Sequence, residues 1–183
     1  MENEQIIGTN TVDFENRVIS INGPIDETLY DGVIVPLLEM DRASQDEIRI
    51  YLTTIGGCTD AALCLADVIE RLDSPTKLYL LGTVASAGMI IVMGAYPNDN
   101  VEVCAYPSTV GMFHHGSWFM DSLEFERAND WLTFVHERHN SYIKDFIMSH
   151  SDYTEEEYAS LHRTDRWYSA DMMKALGFVN TIL

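Results

Sequence analysis

The chain has 183 residues, 46% of them hydrophobic and 22% charged, which suits one packed domain burying roughly 70% of its unfolded surface and excludes a disordered chain. Eleven basic residues against 29 acidic ones leave a formal net charge of -18, so phosphate backbones and anionic lipid are repelled, and neither nucleic acid nor a membrane is expected as a partner. Cys58, Cys64 and Cys104 are odd in number and lack CxxC spacing; with an acidic N-terminus and no apolar run of about 18 residues, they point to a cytoplasmic protein with reduced thiols.

Residues 1–16 are polar without a sustained period and read as an arm, so one domain is expected over residues 17–183. Residues 18–21 read as a short strand closed by Asn22-Gly23-Pro24. From Asp26 to about residue 43, Leu29, Val33, Ile34, Leu37 and Leu38 recur at helical spacing behind an Asp26 cap, and Pro36 should kink that helix. Residues 48–52 alternate as a strand, residues 59–72 form an amphipathic helix stopped by Ser74-Pro75, and residues 77–81 return as a strand. Residues 86–95 are nearly all apolar, as in a helix buried on every side.

Two further strands are predicted over residues 101–104 and 109–113. One long helix over residues 123–149 would span about 40 Å at ~1.5 Å per residue, so it should project and pack against a partner subunit. Thr154 with Glu157 makes a capping box, Ser169 caps a helix ending at Gly177, and residues 178–182 close the chain as a strand. Strands alternating with helices predict an α/β fold of layered βαβ units.

Ser86 stands among Gly82, Thr83, Ala85, Ala87 and Gly88, residues too small to hide a hydroxyl, after a strand and before a helix. Thr53-Thr54-Ile55-Gly56-Gly57 makes the same transition, so two helix N-termini can turn unpaired backbone N–H groups into one space. A serine needs a base, the base an orienting carboxylate, and an oxyanion needs fixed donors. His114 and Asp165 follow in the order Ser, His, Asp, and Gly57 and Ala87 offer the N–H groups. A serine among small residues is more often a helix cap or a tight-packing site, and Val84 departs from the G-x-S-x-G elbow. His136 and His139 lie one turn apart without a third ligand at useful spacing, so no metal is expected. Trp118, Phe119, Phe125, Trp131 and Phe134 read as subunit packing.

Five blocks occur in register: Thr54-Ile55-Gly56-Gly57, Ala85-Ser86-Ala87-Gly88-Met89, Met112-Phe113-His114, Asp165-Arg166-Trp167-Tyr168-Ser169-Ala170 and Ala175-Leu176-Gly177-Phe178-Val179. Together with Glu15-Asn16-Arg17-Val18-Ile19, they make the chain resemble the proteolytic subunit of the Clp protease family from about Glu15 onward. The resemblance implies a crotonase-like fold with a protruding handle helix (about residues 123–149) and a serine endopeptidase that cleaves unfolded polypeptides inside two stacked heptameric rings. It implies no cofactor, an AAA+ unfoldase as a partner, Ser86, His114 and Asp165 as the triad, and the Gly57 and Ala87 N–H groups as the oxyanion hole. Arg166 would then link the rings, and His114 rather than His115 keeps the family spacing from Pro107. Ile55 and Ala87 replace the family's usual proline and methionine, and the strand after the histidine is short. A catalytically inactive ring subunit and a crotonase-type acyl-CoA enzyme are the competing readings.

Overall fold

Strand β4 (Ile48–Thr54) buries every second residue, because a pleated strand sends successive side chains to opposite faces. The computed structural model describes residues 4–7, 9–96, 98–114, 141–160 and 164–183. Its other strands are β1 (Glu4–Ile7), β2 (Asn10–Asp13), β3 (Val18–Asn22), β5 (Thr76–Ala85), β6 (Val101–Ala105), β7 (Val110–Phe113), β8 (Arg166–Ser169) and β9 (Thr181–Ile182). They form one sheet in the order β1-β2-β3-β4-β5-β6-β9, with β7 paired to the end of β5 and β8 paired to β7. From β3 through β6 to β9 the pairs are parallel, as the alternation of strands and helices requires. The predicted α/β class is the observed one.

The fork in β5 positions the site. Its first half, Thr76 to Leu80, pairs with β6, whereas Thr83 to Ala85 pair with β7. Between them Gly82 has φ +58°, a left-handed conformation that glycine adopts without a Cβ clash. The same region carries a register shift between β4 and β5 at Leu52/Thr54. The strand therefore bends away from β6 and delivers its C-terminal end to β7.

Helix α2 (Thr59–Ile69) and the short α3 (Ala87–Met93) cover the sheet. Ala62, Leu65, Ala66 and Ile69 of α2 are buried with Met89, Ile91 and Met93 of α3 over Ile50, Leu52, Leu78 and Leu80. A Cβ on Gly94 would stand 2.6 Å from Ala66 Cα, so a side chain there would drive the two helices apart. Further on come α4 (residues 141–149), α5 (Glu155–Ser160) and α6 (Ala170–Ala175). Of the long helix expected over residues 123–149, only residues 141–149 fall within the described residues, and they are helical.

Three sequence expectations change. The arm expected over residues 1–16 contains a hairpin, since β1 pairs with β2 and β2 with β3, both antiparallel. Val12 is buried in the core, but a four-residue strand is too short to show its period against polar neighbours. The Pro36 kink appears as a π-helical turn, Tyr30–Ile34, feeding α1 (Val35–Ala43). Val35 N–H bonds to Tyr30 O, and this wider turn leaves Pro36, which has no N–H, in the first turn of α1. The Asp26 cap is present, with the carboxylate accepting from Thr28 N at 2.9 Å and Thr28 Oγ1 at 2.6 Å. The last strand is shorter than predicted because Asn180 replaces part of the ladder: its N–H bonds to Val103 O at 2.9 Å and its Oδ1 accepts from Val103 N at 2.7 Å.

The cysteines differ in environment. Cys104 is buried while Cys58 and Cys64 are exposed, and burial, with Glu102 beside it, pushes the Cys104 thiol up to about 11. Thiolate is the reactive form. Iodoacetamide at pH 8 should therefore leave Cys104 unmodified in the native protein and alkylate it after denaturation, as read by peptide mass spectrometry. Modification of native Cys104 at the rate of an unfolded thiol would contradict this.

Candidate active site

Ser86 ends the β5 fork and starts α3. Its N–H bonds to Met112 O on β7 at 2.7 Å, and its O accepts from Met89 N at 2.9 Å. These two bonds hold the residue at φ 55° and ψ -117°, where a residue with a Cβ is strained. Such strain persists only where the surroundings over-determine it. Here it turns Oγ toward His114, with 2.8 Å between Oγ and Nε2.

His114 follows β7 and Asp165 precedes β8. The antiparallel register pairs Phe113 with Arg166, so the residues just beyond this pair emerge together at one end of the ladder. His114 Nδ1 lies 3.6 Å from Asp165 Oδ1, a separation that a movement of under about 1 Å would tighten to a hydrogen bond. The two side chains are 31% and 57% exposed, which leaves the imidazole reachable from the cleft. Ser86, His114 and Asp165, which are far apart in sequence, meet in one line of contacts. Further along β8 the Tyr168 hydroxyl meets that of Tyr153, and both rings pack edge-on against Phe178.

The β4–α2 loop closes over the serine turn. Gly56 has φ +98° and Gly57 φ +149°. A Cβ on Gly56 would stand 2.6 Å from Ser86 Cβ and 3.2 Å from Ala87 N, and one on Gly57 would stand 2.1 Å from Ile25 O. Glycine is thus required twice over, by dihedral and by space. Ile25 clamps the loop by donating to Gly56 O at 3.0 Å and accepting from Cys58 N at 2.8 Å. The backbones of Gly57 and Ala87 accordingly lie on the two turns that meet beside Ser86.

Next to Ser86 and His114 is a cleft lined by Thr59, Ala87, Ile90, Phe113, Ile143, Ile147 and Tyr158. Its apolar wall suits a hydrophobic side chain of a bound chain. Sequence reasoning missed it. Ile143 and Ile147 were legible as a helix face by their i, i+4 spacing, yet nothing local says that this face meets Ser86. Arg166 is exposed and donates to Ser160 Oγ at 2.7 Å. His115, His136, His139 and the cluster Trp118, Phe119, Phe125, Trp131 and Phe134 lie outside the described residues. Among the described residues no group of three or more His, Cys, Asp or Glu could hold a metal, and no helix is long and apolar enough to cross a membrane.

The Clp protease family model matches residues 2–183. The ATP-dependent Clp protease proteolytic subunit of Streptococcus gordonii is 24% identical over 172 residues, covering 92% of this chain and 85% of the relative. Subunit 3 from Rhizobium etli is 28% identical, covering 93% and 85%. Among solved structures, ClpP1 from Listeria monocytogenes superposes with a TM-score of 0.71 at 25% identity, covering 93% of this chain and 92% of that one. The ClpP protease catalytic domain from Plasmodium falciparum gives a TM-score of 0.70 at 19% identity over 93% and 86%, a likeness of fold. With the family model matched along nearly its whole length, and with the fold of the solved relatives, this chain belongs to the Clp protease family.

Proposed function

We propose that this chain is a serine endopeptidase subunit that uses Ser86, His114 and Asp165 on unfolded polypeptides. The observation that carries the reading is the 2.8 Å contact between Ser86 Oγ and His114 Nε2 at a strained turn. Ser86 Oγ attacks the scissile carbonyl carbon while its proton passes to His114 Nε2. Asp165 accepts from Nδ1–H and holds the tautomer that leaves Nε2 free to take that proton. The N–H groups of Gly57 and Ala87 receive the oxyanion. Collapse of the tetrahedral intermediate expels the amine, which takes the proton from His114 and leaves acyl-Ser86. Water then repeats the sequence, releasing the new carboxylate and restoring the hydroxyl. The apolar cleft supports preference for a hydrophobic residue on the acyl side of the cut bond.

Family membership supports assembly into two stacked heptameric rings, a cytoplasmic location and supply of substrate by an AAA+ unfoldase. Arg166 is proposed to form a contact between the rings. The test is hydrolysis of a fluorogenic peptide with a leucine before the scissile bond, together with the native mass of the particle. Hydrolysis by a ring-sized particle is expected. An intact ring that does not cleave would instead favour a non-catalytic subunit, and binding of an acyl-CoA thioester without peptide cleavage would favour crotonase-type chemistry.

A further inference from the structure

The β4–α2 loop and the turn at Ser86 meet over a side chain that the chemistry above does not use. Thr54 ends β4, where it pairs with Val84 on β5, and it is 3% exposed. Its Oγ1 accepts from Gly56 N at 2.9 Å, a local bond of the kind by which threonine bends the backbone that follows it. Its methyl faces the other turn. A Cβ on Gly88 would stand 2.4 Å from Thr54 Cγ2, so the first turn of α3 rests against that methyl.

The N–H groups of the loop are sorted by these contacts. Gly56 N–H goes to Thr54 Oγ1 and Cys58 N–H to Ile25 O at 2.8 Å. Gly57 N–H, between them, has no acceptor among the described residues. In a trans peptide the C=O and the N–H point in opposite directions, so Ile25, by donating to Gly56 O at 3.0 Å, turns the Gly57 N–H away from itself. Thr54 fixes the peptide plane before that one, which carries Gly56 N–H. Two successive glycines resist rotation poorly, and a buried N–H deprived of its acceptor would drive the plane to turn in search of another.

We infer that Thr54 is a positioning residue for oxyanion stabilisation: its hydroxyl ties down the Gly56 N–H, which leaves the Gly57 N–H for the substrate oxygen, and its methyl seats the Ala87–Gly88 turn against the same loop. The role in catalysis rests on the peptidase reading, but the sorting of the N–H groups does not.

Thr54→Val keeps the shape of the side chain and removes the acceptor. With the leucine peptide its kcat should fall at least about tenfold while KM stays within about twofold, because an oxyanion donor acts in the transition state. Thr54→Ser, which keeps the hydroxyl, should retain kcat within about threefold of the parent. Amide exchange in the native assembled protein, resolved to single residues and corrected for intrinsic rates, reads the geometry without any variant: Gly56 should exchange at least about tenfold more slowly than Gly57. A kcat for Thr54→Val within about threefold of the parent would overturn the inference, as would an equal loss in the valine and serine variants. If Thr54→Val does not fold, exchange decides: equal rates at Gly56 and Gly57 overturn the inference, and the expected difference upholds it. A native protein that hydrolyses nothing refutes the peptidase reading, and the same comparison of exchange then decides the placement of Thr54.

Discussion

Replacing Ser86 by alanine should lower peptide hydrolysis by at least about 10⁴-fold while leaving the fold and the particle mass unchanged. The size of the effect follows from the roles of the group removed. Without the hydroxyl no acyl intermediate forms, and what remains is the modest help that oxyanion donors and binding give to attack by water. The fold should tolerate the change because the contacts that shape the turn are made by the backbone, Ser86 N to Met112 O and Met89 N to Ser86 O. Alanine at φ 55° is no worse strained than serine. Hydrolysis within about tenfold of the parent would mean that another group performs the chemistry.

Gly56→Ala is the second large expectation, and it acts through shape alone. The added methyl would stand 2.6 Å from Ser86 Cβ and 2.9 Å from Ala85 O, and Ala85 O is backbone that cannot swing aside. Relief requires the loop or the serine turn to move by roughly 1 Å, a misplacement that costs about 10²-fold in rate where reacting groups must be held within hydrogen-bonding reach. The positive φ of +98° adds about 1 kcal/mol of strain, so the melting temperature should also drop by a few degrees. Measured at a temperature where both proteins are folded, kcat/KM should fall by about 10²-fold or more. A loss under about threefold would mean that this loop does not press on the serine turn.

How far the sequence foretells this structure depends on how local each signal is. Strands β3 and β4 and helix α2 were legible because each carries its own period: Val18 to Ile21 and Ile48 to Leu52 alternate, and Ala62, Leu65, Ala66 and Ile69 repeat along one face. The capping box was legible too, and the Thr154 N–H and hydroxyl both donate to Glu157 Oε2 at 2.8 Å. The hairpin β1–β2 was hidden because its strands gain their meaning only from pairing with β3. The fork of β5 was hidden for a similar reason: Gly82 announces a bend but not that the strand changes partners there.

The candidate site divides in the same way. Ser86 could be suspected from its small neighbours and its place between strand and helix, but neither His114 nor Asp165 has a local feature that marks it. Their selection came from motif blocks in register, and the geometry that joins them depends on the β7–β8 ladder, a pairing between residues more than fifty positions apart in sequence. The cleft lies further still from sequence view, because α2, α3, β7, α4 and α5 each give it one or two side chains.

The central claim is that the Ser86 hydroxyl is the nucleophile, activated by its place in the fold. Mapping the adduct left by a fluorophosphonate probe on the native protein, by peptide mass spectrometry, tests it most directly. A single adduct on Ser86, lost when the protein is denatured before labelling, is the predicted result. An actively hydrolysing preparation with Ser86 unmodified would contradict it.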